Sequence, residues 1–336
     1  MDTPLGTLRT VEGKPVLRFE RRLSHPPHKV WKAITDPAEM AAWFPAAIDT
    51  ELKVGAAMRF SFDEEFVDTS EYEDGEILEL DPPRVYAFRW TDSALRFELI
   101  PEADGCRLVF THTLGGAGSH GDLPSASRHA TGWDACLALL TARLDGGPQP
   151  SAEGWFLPRA ERYVEEFGLG DGEIRDDGDG WLLRFERDLV HPAEAVWDAL
   201  VDAEEPRLDA PPPARLAHGY LDPRHGYLEA GPTTVLEPPR VLEYVWLHDG
   251  EQAGRVRFEI RGTEQVGTRL IVTQTIPTRL ADTRATALAA WHTHMELFFA
   301  ALHGDVRCPW PQGRTEELRQ MYAKRLELRE DPESRL

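Results

Sequence analysis

An internal repeat is the feature of this sequence that most restricts its fold. Residues 17–31 read LRFERRLSHPPHKVW and residues 183–197 read LRFERDLVHPAEAVW, so 10 of 15 positions are identical at an offset of 166. The segment PPRV recurs at 82–85 and 238–241, and Trp133 recurs as Trp291. A unit of about 150 residues is far longer than the modules of a solenoid, so the repeat predicts two complete domains in tandem.

The repeat also predicts where the domains begin and end. We expect a first domain at 1–167, an acidic, glycine-rich linker at 168–180, and a second, shortened domain at 181–336. The linker is rich in glycine and aspartate, a composition typical of a solvated connection. The second copy has about ten fewer residues, lacks a counterpart of Trp43 and Phe44, and contains three consecutive prolines at 211–213. Its interior is therefore expected to differ from that of the first copy.

The charge and cysteine content exclude several classes of protein. The formal net charge of −21 argues against a nucleic-acid partner, because such binding needs a positive surface that releases counterions. Three scattered cysteines are too few for a disulfide framework or a zinc site, which favours a reducing, cytoplasmic location. The sequence shows no signal peptide and no apolar stretch of about 18 residues, so we expect no membrane insertion.

The hydrophobic periodicity predicts an α+β fold for each copy. Segments with alternating apolar and polar residues occur at 58–62, 75–80, 85–90, 95–100 and 107–114, separated by turn signals. Apolar residues at helical spacing predict a long helix over 125–144. We predict two tandem helix-grip domains, each a curved antiparallel sheet wrapped around a long C-terminal helix, with two short helices.

Several segments resemble the SRPBCC superfamily, which contains START-like domains. They are the run 18–31, the AAWFP segment at 41–45, the LDPPR turn at 80–84, the strand with Trp90, and Gly132-Trp133 on the last helix. The pattern is similar to the branch named after the activator of the heat-shock-protein ATPase. The resemblance implies a helix-grip fold and the binding of hydrophobic ligands. Superfamily members bind lipids, hormones and polyketides, and some cyclise polyketides or protect producers of enediyne antibiotics. Fold alone assigns none of these functions.

The sequence contains no recognisable catalytic constellation. It has none of the motifs of metalloproteases, α/β-hydrolases or P-loop enzymes, and we expect no metal and no cofactor. His112 and His129 are placed to face an interior cavity, where an imidazole acts as acid or base near neutral pH. Cys136 follows Trp133 by three residues, but a thiol nucleophile needs a base that the sequence does not identify.

Aromatic residues are the more informative candidates, because ligand pockets are mostly apolar with a few placed polar groups. We expect ligand contacts in the interior of both domains. The candidates are Trp43, Phe44, Phe60, Phe62, Tyr72, Trp90, Phe97, His112, His129, Trp133, Cys136 and Leu137 in the first domain, and Trp246, Phe258, Trp291, Met295 and Phe298 in the second.

Three functions remain open at this stage. The first is non-catalytic binding of a hydrophobic, polycyclic or polyketide-type molecule, for example in sequestration or self-resistance. The second is a polyketide cyclase or aromatase-like enzyme that uses His112 and His129. The third, suggested by the branch name alone, is a co-chaperone of a heat-shock ATPase. No protein partner can be named from the sequence.

Overall fold

The computed structural model describes residues 3–61, 73–115, 121–151, 154–202, 204–216, 229–263 and 267–330. The chain forms two compact units, Met1–Phe167 and Gly168–Leu336. Each unit has its own antiparallel sheet and its own long helix, which agrees with the predicted α+β class and two helix-grip domains.

The first unit is built on an eight-stranded antiparallel sheet in the order β1-β2-β8-β7-β6-β5-β4-β3. Most neighbours are consecutive in sequence, and the pairing of β2 with β8 brings the start of the unit beside its last strand. The strands are β1 Thr7–Val11, β2 Lys14–Leu23, β3 Ala47–Thr50, β4 Ala57–Ser61, β5 Glu73–Asp81, β6 Val85–Trp90, β7 Ser93–Glu102 and β8 Gly105–Thr113. The α-helices among the described residues of this unit are α1 Pro27–Thr35, α2 Pro37–Met40, α3 Ala126–Asp145 and α4 Phe156–Glu166.

Helix α3 is the long helix of the first unit, and it packs against β2. The Asp122 side chain accepts a hydrogen bond from the Ser125 backbone N–H in the short 3₁₀ turn before the helix. The helix ends at Gly146, whose φ of 66° is the left-handed conformation that glycine adopts without strain. Leu137, Leu140 and other apolar residues of the predicted face are buried.

The second unit has a six-stranded antiparallel sheet in the order β11-β12-β13-β14-β10-β9. Its elements are β9 Glu173–Asp176, β10 Gly180–Leu189, α5 Ala193–Val201, β11 Glu229–Glu237, β12 Val241–His248, β13 Glu251–Thr263, β14 Gly267–Pro277, α6 Arg284–Leu302 and α7 Gln312–Glu330. Helix α6 is the counterpart of α3 and packs against β10.

The structure differs from the expected linker at 168–180. Residues Glu173–Asp176 form β9, which pairs with β10, so this part of the segment belongs to the second sheet. The segment is also held at Gly172, whose backbone N–H donates to the Tyr322 hydroxyl at 2.8 Å. Glycine is required there because a side chain would collide with the ring of Phe185. Gly172 thus lets the backbone approach Tyr322 and Phe185 closely, whereas the abundance of glycine in 168–180 suggested a solvated linker.

The first unit contains the same contact at the same place in the repeat. The Gly6 N–H donates to the Tyr163 hydroxyl at 2.8 Å, and a side chain at Gly6 would collide with Phe19. Tyr163 lies on α4 and Tyr322 on α7, the two helices that follow the long helices. Periodicity did not predict α4 or α7 as separate elements.

Candidate functional site

Aromatic side chains from the sheet, from the turn after α2 and from α3 form one continuous group in the first unit. Phe44 lies at its centre, with its ring centroid 5.4 Å from that of Trp90 and 5.7 Å from that of Trp133. Trp43 is fixed beside it because its indole Nε1–H donates to the Ala33 carbonyl oxygen at 2.9 Å. We call this group the aromatic cluster; its members are Trp43, Phe44, Phe60, Phe88, Trp90, Phe97, Phe110 and Trp133.

The strands bring the remaining rings of the aromatic cluster together. Phe60 and Trp90 stack with centroids 4.9 Å apart and an interplanar angle of 15°. Gly75 pairs with Trp90 across β5 and β6, and a side chain at this glycine would collide with the Phe60 ring. Phe97 stacks on Phe110 at 4.6 Å, which continues the cluster across β7 and β8. The alternation of inward side chains along these strands therefore places the rings on one face.

At these contacts the rings touch one another, so the protein's own side chains pack this part of the interior. The sequence led us to expect that the same rings line a cavity. The margin of the cluster is more open, because Trp90 and His129 are only partly buried. Trp90 pairs with Ser93 and His112 pairs with Leu95, which places both at the same end of the sheet.

His112 is the polar group buried against the aromatic cluster. Its Nδ1 accepts a hydrogen bond from the Trp133 indole Nε1–H at 2.9 Å. Burial, together with the neighbouring His129 ring at 5.2 Å, lowers the pKa of His112 well below its ordinary value. The neutral ring then carries its proton on Nε2. In this state His112 can donate a hydrogen bond, but it cannot accept a proton on Nδ1 without breaking the bond to Trp133.

Cys136 and Leu137 lie on α3 within one turn of Trp133. Part of the Cys136 surface is accessible, yet burial raises the pKa of its thiol to about 12. The side chain is therefore a neutral thiol at physiological pH, and it lacks the thiolate character that a nucleophile needs. Leu137 is buried.

The second unit places its candidates around Trp291. The Trp291 indole N–H donates to Gln274 Oε1 at 2.7 Å, and Phe258 lies edge-on to the indole at 5.6 Å. Trp246 is also buried, and its Nε1–H donates to the Thr275 carbonyl oxygen at 2.8 Å. Met295 and Phe298 are buried on α6. Gln274 thus accepts the hydrogen bond of Trp291 as His112 accepts that of Trp133, but its side chain cannot be titrated.

Two sequence candidates, Phe62 and Tyr72, lie outside the described residues. Conversely, Phe88 and Phe110 belong to the aromatic cluster although they were not among the candidates. The alternation within 85–90 and 107–114 contained the signal, because Phe88 is two residues from Trp90 and Phe110 is two residues from His112. The contribution of all these residues to ligand binding remains a prediction.

Within the described part of the chain, no group of three or more histidine, cysteine, aspartate or glutamate side chains is arranged to hold a metal ion. Over the same residues, none of the helices combines the length and the apolar character required to span a lipid bilayer.

Residues 24–145 match the model of a protein family described as activator of Hsp90 ATPase homolog 1-like protein. This match lies within the first unit. No curated protein matches the sequence.

Three solved structures illustrate the similarity to known proteins. EF2215, a conserved protein of unknown function from Enterococcus faecalis, is 21% identical with a TM-score of 0.41, and the match covers 48% of this chain and 90% of that protein. CalU16 from Micromonospora echinospora is 22% identical with a TM-score of 0.38, covering 50% of this chain and 98% of that protein. DynU16, described as a protein in the dynemicin biosynthetic locus, is 17% identical with a TM-score of 0.36, covering 86% and 97%.

Proposed function

We propose that this chain is a START-like protein related to the activator of Hsp90 ATPase homolog 1-like family, whose model matches residues 24–145, and that it binds a flat hydrophobic small molecule without converting it. The family has the helix-grip fold, and its members bind hydrophobic ligands. The observation that carries the proposal is the aromatic cluster of the first unit, with Trp90 partly exposed at its margin.

The chemistry of the cluster favours a polycyclic ligand. Trp90 stacks on Phe60 in nearly parallel planes, and flat aromatic ring systems favour this kind of offset-stacked packing. A tricyclic molecule that removes about 200 Å² of apolar surface from water gains roughly 5 kcal/mol before the entropic cost of association. Polyketide-derived aromatic compounds have this shape, and sequestration of such a compound is the biological role we propose.

The polar residues of the site favour binding over catalysis. A cyclase that uses His112 as its base needs a free ring nitrogen, but Nδ1 is engaged by Trp133 and the lowered pKa of the ring makes it a weak base. Cys136 has a raised pKa and is not a thiolate. These observations support a role in which His112 orients the cluster.

The proposal is tested by titrating the full chain with hydroxyanthraquinones while following tryptophan fluorescence. We expect saturable quenching for the unmodified chain. Trp90→Leu should weaken binding about tenfold, because it removes the half-buried indole at the margin of the cluster. Trp246→Leu is the matched control in the second unit and should change the affinity less than twofold. Circular dichroism would verify that both variants are folded.

Either of two results would refute binding at the aromatic cluster. The first is the absence of saturable quenching across a panel of polycyclic aromatic compounds up to their solubility limits. The second is an equal loss of affinity in Trp90→Leu and Trp246→Leu, which would show that the response does not arise at the first-unit site.

A further inference from the structure

Tyr86 on β6 is buried in the first unit, with no exposed surface, and its hydroxyl has no hydrogen-bond partner among the described residues. The other buried tyrosines that the structure describes are different. Tyr163 donates to Asp134, Tyr244 donates to the Leu216 carbonyl oxygen, and the Tyr322 hydroxyl is bonded to His292. A buried hydroxyl without a partner is uncommon in folded proteins and calls for an explanation, and a hydrogen-bonding group of a bound molecule is the one we pursue.

The surroundings of Tyr86 consist of aromatic rings. The ring centroid of Tyr86 is 5.1 Å from that of Phe88 and 6.4 Å from that of Phe97. The ring of Trp31 on α1 lies edge-on to Tyr86, with the centroids 6.3 Å apart. Because this environment disfavours the phenolate, burial raises the pKa of Tyr86 far above its ordinary value. The side chain therefore keeps its proton and presents a hydrogen-bond donor next to the aromatic cluster, to which Phe88 and Phe97 belong.

The fold itself does not require this hydroxyl, as the second unit demonstrates. Tyr86 pairs with Phe97 across β6 and β7, and Leu242 pairs with Phe258 at the same point of the second sheet. Leu242 is equally buried and has no polar atom in its side chain. A purely structural residue at this position can thus be aliphatic.

We propose that the Tyr86 hydroxyl donates a hydrogen bond to a carbonyl oxygen of the bound molecule, which makes the ligand class polycyclic ketones and quinones. A carbonyl suits the site better than a hydroxyl group, because a carbonyl only accepts, whereas a ligand hydroxyl would bury a second donor among rings that offer no acceptor. This inference rests on the proposed function and specifies which polycyclic compounds the site selects.

The inference is tested with a matched pair of probes, 9-fluorenone and fluorene, which share the tricyclic skeleton and differ in the carbonyl group. The affinity of the full chain for each probe is measured by tryptophan quenching. We expect the unmodified chain to bind fluorenone about fivefold to tenfold more tightly than fluorene, the effect of one net hydrogen bond. Tyr86→Phe should abolish this preference while its affinity for fluorene remains within twofold of the original.

The matched control is Tyr244→Phe, which removes a hydroxyl from the second unit and should leave the preference for fluorenone intact. Tyr86→Phe removes a hydroxyl that has no hydrogen-bond partner among the described residues, so its melting temperature should equal or exceed that of the unmodified chain. If both probes bind with equal affinity, or if Tyr86→Phe retains the preference, the role of Tyr86 is refuted although the aromatic site stands. If neither probe binds, the proposed function fails together with this inference.

Discussion

The most instructive residue in the first unit is His112, because the repeat provides its natural replacement. His112 accepts the Trp133 indole N–H in the first unit, and Gln274 accepts the Trp291 indole N–H in the second. In each unit, a side chain of the last strand accepts a hydrogen bond from a buried indole N–H of the long helix. The shared requirement is therefore a hydrogen-bond acceptor, and the imidazole ring is one of two ways to supply it.

This equivalence predicts the effect of substitutions at His112 on stability at pH 7.5. His112→Gln should change the free energy of unfolding by less than about 1 kcal/mol, because glutamine provides the acceptor used in the second unit. His112→Leu should cost about 1–3 kcal/mol, since it leaves the Trp133 N–H buried without an acceptor. Urea denaturation measures both values. An equal loss in the two variants would contradict the role of the hydrogen bond.

The stability of the first unit should also depend on pH through His112. Its folded-state pKa lies below the value of about 6.5 in an unfolded chain. Below pH 6.5 the unfolded state therefore binds a proton that the folded state does not bind, so this group lowers stability as the pH falls, by up to about 1.4 kcal/mol per pH unit. Above pH 6.5 it contributes no pH dependence.

His112→Gln removes this contribution and provides the test. Its stability relative to the unmodified chain should increase as the pH is lowered from 7.5 to 5.5, as measured by urea denaturation at each pH. A constant difference over this range would show that His112 is not held neutral in the folded state.

At the scale of elements, each long helix is joined to the helix that follows it by a buried polar network. In the first unit Asp134 of α3 accepts hydrogen bonds from Arg159 Nε and from the Tyr163 hydroxyl, each at 2.6 Å, and it also pairs with Arg21 of β2. The network connects α3, α4 and the sheet. Its centre is a carboxylate, which balances the buried guanidinium group of Arg159 and the half-buried one of Arg21.

The second unit builds the same connection around a histidine. His292 takes the place of Asp134, with its Nδ1 2.9 Å from the Tyr322 hydroxyl and its Nε2 3.3 Å from Glu296 Oε1. Burial alone would raise the pKa of Glu296, but hydrogen bonds from His292 and Arg314 lower it to about 2. Compared with Asp134 in the first unit, the carboxylate of the second unit lies one helical turn further along the long helix. The tyrosine occupies the same position in both units.

Asp134→Asn should destabilise the first unit by about 3–5 kcal/mol, because it removes the negative charge that pairs with the buried Arg159 and the half-buried Arg21. Asp145→Asn is the matched control on the same helix. Asp145 pairs with His25 at 2.7 Å, but its side chain is 52% exposed, so its loss should cost less than about 1 kcal/mol. Urea denaturation gives both values. Similar effects of the two substitutions would indicate that the network does not bear on stability.

The elements that the sequence predicted correctly are those with strong periodicity. The expected helix over 125–144 is α3, and the expected strands 85–90 and 107–114 agree closely with β6 and β8. Periodicity failed for β9, because a four-residue edge strand in a glycine-rich and aspartate-rich segment carries little apolar signal. Phe44 and Trp133 could be named from the sequence, but their mutual contact depends on chain folding over about ninety residues.

At the scale of the whole molecule, the repeat has given two units with the same fold and different interiors. The first unit contains the aromatic cluster, the histidine pair and the unpartnered Tyr86 hydroxyl. In the second unit, glutamine and leucine occupy the positions of His112 and Tyr86, and the described residues contain no counterpart of Trp43 and Phe44. We therefore expect the capacity for ligand binding to reside in the first unit.

The most direct test of this account is the binding stoichiometry of the full chain, measured by native mass spectrometry during titration with a hydroxyanthraquinone. We predict one ligand per chain at saturation, with the bound species lost in Trp90→Leu. A chain that binds no ligand, or one that binds two with equal affinity, would contradict the assignment of a single hydrophobic site to the aromatic cluster of the first unit.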